Sequence, residues 1–168
     1  MRLLYLLLLS IVISMTPLSA QEQKVHKKLP LSESLPLLHT IEDQAIRMGD
    51  GPVAVHIFVD PLCPHSRNFV EMIVESDKMR SKYSYYFYLY TLKRMHSEAV
   101  VAAIYDSSDP LKMMVDIMVE KKKVDTNMSA DAKKAPIIKT IENVGERLNV
   151  YKRPYMIMVK KPKKKRGK

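Results

Sequence analysis

A single cysteine, Cys63, stands among 168 residues, so no internal disulfide can staple this chain. No internal repeat is present, which excludes a solenoid or an array. Recognised metal-ligand spacing is missing as well: Cys63 and His65, even with His96 further along, match no known motif, and we read neither a metal nor a cofactor from the sequence. A basic body is also lacking, although the whole chain carries 28 basic and 18 acidic residues and a net charge of +10. Seven of those basic residues crowd into the tail from Lys160 to Lys168, which has no acid. Without that tail and the first twenty residues the net charge is only +2, so a nucleic-acid-binding surface is not implied.

What the sequence does have begins with an apolar run from Leu3 to Met15 behind a lone Arg2, closing in Thr16-Pro17-Leu18-Ser19-Ala20. This is the layout of a signal peptide, with cleavage expected before Gln21. The run is shorter than the roughly 20 apolar residues of a spanning helix, and retention as an uncleaved anchor is the alternative. Both outcomes place the remainder outside the cytoplasm, in a periplasm or an equivalent compartment. The 148 residues that remain suffice for one hydrophobic core, and a monomer is expected. We divide the chain into a signal peptide (1–20), a lead-in segment and helix (21–50), a main domain (51–159) and a basic tail (160–168).

Along the mature chain, Leu37, Leu38, Ile41, Ala45, Ile46 and Met48 recur near helical spacing, and Gly49-Asp50-Gly51-Pro52 stops the pattern, which predicts a helix from Leu37 to Met48. Val53 to Val59 is a β-branched and aromatic run bounded by Gly-Pro and Asp-Pro, as a buried strand should be. Pro64 suits a first helical position, and Phe69, Val70, Ile73 and Val74 give an apolar face to a helix reaching about Met79. Tyr83 to Thr91 reads as a second strand, half-buried, parallel to the first and with hydroxyls at its rim. Helices follow over His96 to Ser107 and Asp109 to Lys122, with Asp109 as cap, Pro110 at the first position, and Met113, Met114 and Met118 as core filler. A helix over Ala130 to Leu148 and a strand from Tyr155 to Val159, entered through Arg153-Pro154, complete an α/β pattern.

The strand that ends at Val59 delivers Asp60-Pro61-Leu62-Cys63 to a helix start. Unpaired N–H groups and the positive end of a helix favour an anion there, and the thiolate is the reactive form of cysteine. His65 and Arg67 supply nearby positive character, so Cys63 is expected to be an accessible nucleophile. The plain alternatives are a buried small hydrophobe at Cys63, a solvated His65 and a simple helix-start Ser66.

Phe58-Val59-Asp60-Pro61-Leu62-Cys63-Pro64-His65-Ser66 resembles the active-site segment of thioredoxin-fold proteins, and within them the DsbC/DsbG group of bacterial periplasmic disulfide isomerases. The likeness extends from about Gly51 to Val159. It implies a thioredoxin-like fold with a helical insertion and a central sheet trimmed at the C-terminal end. It also implies that Pro154 is a cis proline standing against Cys63, with Arg153 and Pro64 beside it in the substrate-binding part of the site. Ser66 takes the place of the family's second cysteine, so Cys63, His65 and Ser66 would form a site without a resolving thiol. The isomerases' dimerisation domain has no counterpart in the short segment before the first strand.

The function this suggests is monothiol exchange. Cys63 would attack a disulfide, glutathionyl or persulfide sulfur on thiol- or disulfide-bearing envelope proteins, and an external thiol reductant would resolve the adduct. A non-catalytic peptide- or protein-binding module is the second reading. The basic tail could also make weak contact with anionic membrane lipid.

Overall fold

The computed structural model describes residues 27–124 and 135–160. The expected signal peptide, residues 130–134 of the expected long helix and the tail beyond Lys160 lie outside the described residues. Among the described residues no helix is long and apolar enough to cross a membrane.

The first element differs from the helix expected between Leu37 and Met48. Helix α1 is Leu31–His39, starting directly after Pro30 and carrying Pro36 within it. The Ser34 hydroxyl donates to the Pro30 carbonyl at 3.0 Å, and the Thr40 hydroxyl closes the other end on the Leu37 carbonyl at 2.7 Å. A short 3-10 turn, Glu42–Gln44, leads into strand β1, Ile46–Met48, whose pattern is buried, exposed, buried. Three residues at period two cannot be told from a helical stripe by spacing alone, which is why Ile46 and Met48 read as helix.

Strand β2, Val53–Val59, and strand β3, Tyr83–Leu89, fall where the apolar and aromatic runs place them and pair in parallel. Helix α2, Pro64–Val74, stops earlier than expected because Ser76 opens a separate helix, α3, Asp77–Lys82, accepting the Met79 N–H on its hydroxyl. Gly51 hugs the chain at this junction: a Cβ there would lie 2.0 Å from the Lys82 carbonyl carbon, so only glycine fits. Helix α4 is Glu98–Asp106, and α5 is Pro110–Met118 with Asp109 capping Lys112 N–H at 2.9 Å, as its sequence indicates. Helix α6, Ala135–Arg147, precedes strand β4, Tyr155–Lys160.

The sheet has the order β1-β3-β2-β4, with β1 antiparallel to β3 and β4 antiparallel to β2. Strand alternation sorts its two faces. Val55, Ile57, Tyr85 and Phe87 share one face, toward Phe69 of α2 and Met79 of α3. His56, Phe58, Tyr86, Tyr88 and Tyr90 share the other, where Gly145 of α6 meets the Tyr90 ring and Tyr155 reaches the Leu148 carbonyl. Helices on both faces account for the nearly continuous burial of β2. Met114 and Met118 are buried in the core, and Met113 packs against it. At the outer edge formed by β4, Met156 and Met158 are exposed.

The tyrosine strand is more deeply set than a half-buried one. Tyr85 and Tyr88 are buried, and the Tyr88 hydroxyl ends not at the rim but 3.0 Å from Nδ1 of the buried His56. His56 also stacks on Tyr86, with centroids 4.8 Å apart. Burial lowers the His56 pKa from its ordinary value to about 4, so this imidazole is neutral at pH 7; Glu42 opposes the shift and His39 adds to it.

Candidate functional site

The turn leaving β2 is organised by Asp60, a fully buried carboxylate that the sequence reading used only as a strand boundary. Its Oδ1 accepts the N–H groups of Leu62 at 2.8 Å and Cys63 at 3.2 Å. Its Oδ2 accepts the Leu92 N–H and the Ser97 hydroxyl, both at 2.6 Å. One side chain therefore joins the turn carrying the cysteine to the end of the β3 segment and to the start of α4. Buried charge without such donors would be costly, and this set of four supplies its solvation. Ser97 is itself buried, and it follows His96, whose backbone takes the left-handed conformation at φ 49°. The carboxylate at the end of an apolar strand was the available signal; its partners 32 and 37 residues away were not readable from spacing.

Cys63 is the residue before the first turn of α2, and Pro64 occupies the first helical position, as expected. Ser66 is fully buried and accepts the backbone N–H of Asp60 on its hydroxyl at 3.2 Å, tying the helix start back to the strand. Arg67 braces the same turn from outside, donating Nε–H to the Pro61 carbonyl at 2.7 Å. Pro64 and His65 are exposed.

The cysteine corrects one expectation. Cys63 is only 2% exposed rather than open at the surface. Asp60 accepts the Cys63 N–H at 3.2 Å on the inner side of this turn. The cysteine is not sealed off, however. Cys63 borders a cavity of about 430 Å³, shared with His65, Leu92, Lys93, Arg94, Tyr151, Lys152 and Arg153. Since Lys93, Arg94, Tyr151 and Lys152 are exposed, the cysteine forms the floor and those side chains form the rim.

Arg153 is fixed in place. Its Nε–H donates to the Tyr90 carbonyl at 3.2 Å, and Nη1 donates to the Val150 and Lys152 carbonyls at 3.2 and 3.0 Å. The guanidinium lies 3.8 Å from the Tyr90 ring centroid, and that ring in turn packs against Gly145, where a Cβ would come within 3.0 Å. Burial lowers the Arg153 pKa, while the nearby Tyr90, Asp60 and Cys63 side chains favour its charged form. The Arg153–Pro154 peptide bond is cis. The structure thus brings Cys63, His65 and Arg153 to one cavity, with Pro64, Ser66 and Pro154 adjoining them in the chain. His96 does not line that cavity. Among the described residues no group of three or more His, Cys, Asp or Glu side chains is placed to hold a metal ion.

Sequence reasoning missed Asp60, Ser97, Tyr90 and the cationic rim of Lys93, Arg94 and Lys152. The rim residues come from two turns about sixty residues apart, and only the sheet topology brings them together.

No protein-family model matches the sequence, and no curated protein does. Solved structures do resemble the fold. The disulfide interchange protein from Neisseria gonorrhoeae is similar over 68% of this chain and 79% of its own, with a TM-score of 0.54 and 21% identity. The catalytic domain of Proteus mirabilis ScsC matches over 77% of this chain and 86% of its own, with a TM-score of 0.57 and 13% identity. Oxidised BdbD from Bacillus subtilis matches over 71% and 83%, with a TM-score of 0.53 and 15% identity. Likeness at these identities establishes the architecture: a thioredoxin-like α/β fold with a four-stranded sheet and helices on both faces.

Proposed function

We propose that this chain is an exported, monothiol protein of thiol–disulfide exchange, with Cys63 as its reacting group. The observation that carries the reading is that the only sulfhydryl of the chain floors a cavity whose wall includes Arg153, next to the cis Arg153–Pro154 bond. In this reading the Cys63 thiolate attacks a disulfide sulfur and forms a mixed disulfide, while the other sulfur leaves as a thiolate. Because Ser66 offers no second thiol, an external thiol attacks the adduct, regenerates Cys63 and departs with the substrate half as a new disulfide. Pro64, Arg153 and Pro154 would hold the partner, and His65 at the cavity wall would tune Cys63. The likeness of the Cys63 segment to the DsbC/DsbG group, the leader ending at Ala20 and an extracytoplasmic location belong to the same proposal. The three similar structures support it in that two are named for disulfide chemistry or an oxidised state.

The test is adduct formation. Mature protein incubated with bis(2-hydroxyethyl) disulfide is expected to gain one mixed-disulfide mass, lost on reduction and absent in Cys63→Ala. A protein that stays unmodified while folded would refute the exchange reading. One observation favours the second reading, a binding module without turnover: Cys63 is nearly buried. That reading expects a native protein that binds thiol-free peptides equally well with alanine at residue 63.

A further inference from the structure

The cavity above Cys63 has a one-sided electrostatic wall. Lys93, Arg94, Lys152 and Arg153 all line it, His65 adds a fifth basic side chain, and no acidic residue does. The surrounding body contributes little net charge, so this concentration is local rather than a reflection of a basic protein. Nor are the cations neutralised by neighbours. Among the described residues, Lys93, Arg94, Lys152 and Arg153 form no ion pair with a carboxylate, although Arg47, Arg80, Lys112 and Lys122 do. Arg153 spends its Nε–H and Nη1 on three backbone carbonyls and its face on Tyr90. Asp60, a carboxylate that acts on it electrostatically, is fully occupied by its four donors.

This arrangement is built. Lys93 and Arg94 sit on a 3-10 turn, Lys93–Met95, which begins next to Leu92, and Asp60 holds that residue's N–H at 2.6 Å. Lys152 and Arg153 are held by the carbonyl contacts that lock the guanidinium onto Tyr90. The two cationic turns thus border the cavity that the thiol also lines, each tied down by hydrogen bonds at its backbone. The volume, about 430 Å³, lies in the range of small-molecule sites of roughly 300–1,000 Å³ rather than that of an extended protein interface.

We infer that the cavity selects small disulfides bearing carboxylates close to the sulfur, with Lys93, Arg94 and Lys152 as the specificity-determining residues. This rests on the exchange reading and names its substrate class. The Cys63 thiolate forms a bond to one sulfur of the anionic disulfide, the sulfur–sulfur bond breaks, and the second half leaves as a thiolate with its carboxylate. That leaving dianion develops next to the cationic rim, so the rim lowers the barrier as well as attracting the reactant.

The experiment compares three disulfides of matched size: 3,3′-dithiodipropionate, bis(2-hydroxyethyl) disulfide and cystamine, which are dianionic, neutral and dicationic. The rate of adduct formation on Cys63 is measured by mass spectrometry at low salt. Each rate is divided by that of the urea-unfolded protein with the same disulfide, which cancels differences in leaving group. The expected order is dianion, neutral, dication, with about tenfold or more between the extremes, shrinking as salt is added. Combining Lys93→Glu, Arg94→Glu and Lys152→Glu, all at exposed positions, is expected to invert the order. Equal normalised rates, or a preference for cystamine in the unaltered protein, would overturn the anion selection and leave exchange chemistry standing. Absence of any adduct from all three probes would overturn both.

Discussion

Replacing Asp60 by asparagine changes one oxygen to an amide and removes a charge, with almost no change in volume. The best outcome for the variant keeps the side-chain oxygen on the Leu62 and Cys63 N–H groups. Its NH2 group then confronts the Leu92 N–H, a donor facing a donor, while the Ser97 hydroxyl can turn to accept instead of donate. The variant therefore leaves one buried amide unsatisfied, at about 1–3 kcal/mol, and weakens the bonds to Leu62 and Cys63 from charge-assisted to neutral. A net loss of about 2–4 kcal/mol follows. With a urea slope of about 2 kcal/mol per molar, the unfolding midpoint should fall by roughly 1–2 M. Equilibrium urea unfolding at pH 7, followed by far-ultraviolet circular dichroism, measures it. Ser97→Ala removes one donor and leaves the carboxylate its three backbone partners, so it is expected to cost about 1–2 kcal/mol. A loss below about 0.5 kcal/mol for Asp60→Asn would refute the claim that this carboxylate holds the cysteine turn.

Two further outcomes follow from the same geometry. The buried, neutral His56 has a folded pKa of about 4 against an ordinary 6.5, so between these values the unfolded chain binds a proton that the folded one refuses. Stability should fall as pH drops from about 6.5 to about 4, by roughly 2–3 kcal/mol from this residue, and the His56→Leu variant should lose that part of the pH dependence in urea melts at each pH. Equal slopes in both proteins over this window would contradict the assignment. Ser66→Cys places a second thiol one turn from Cys63, and it should create an internal disulfide and a gain in insulin reduction by dithiothreitol; no gain would count against the site geometry.

Much of the architecture was legible because its strands and helices announce themselves chemically. The Val53 to Val59 run, the aromatic run from Tyr83, the Asp109-Pro110 helix start and the entry of the last strand through Arg153-Pro154 all combine a period with a boundary residue. Where the signal was too short it failed. Ile46 and Met48 have only one intervening residue to display alternation, and the Ser76 cap divides an apolar stretch that otherwise reads as one helix. The site was legible along one segment and not across segments. Cys63, Pro64, His65 and Ser66 stand together in the chain, whereas the link from Asp60 to Leu92 and Ser97, and the meeting of Lys93 and Arg94 with Lys152, depend on the sheet order. The depth of the cysteine was not legible either, because burial at a helix start is set by segments distant in the chain, and Arg153, ninety residues on, lines the same cavity.

The central claim is that Cys63 reacts through its cavity in the folded state despite being 2% exposed. The most direct test is the rate of adduct formation with bis(2-hydroxyethyl) disulfide as urea is raised from zero to just below the unfolding transition. Reaction through the cavity gives a measurable rate at zero urea that stays nearly flat across this range. A rate that vanishes without urea and climbs exponentially with it, parallel to the unfolded population, would mean the sulfur reacts only when the protein opens, and would contradict the account.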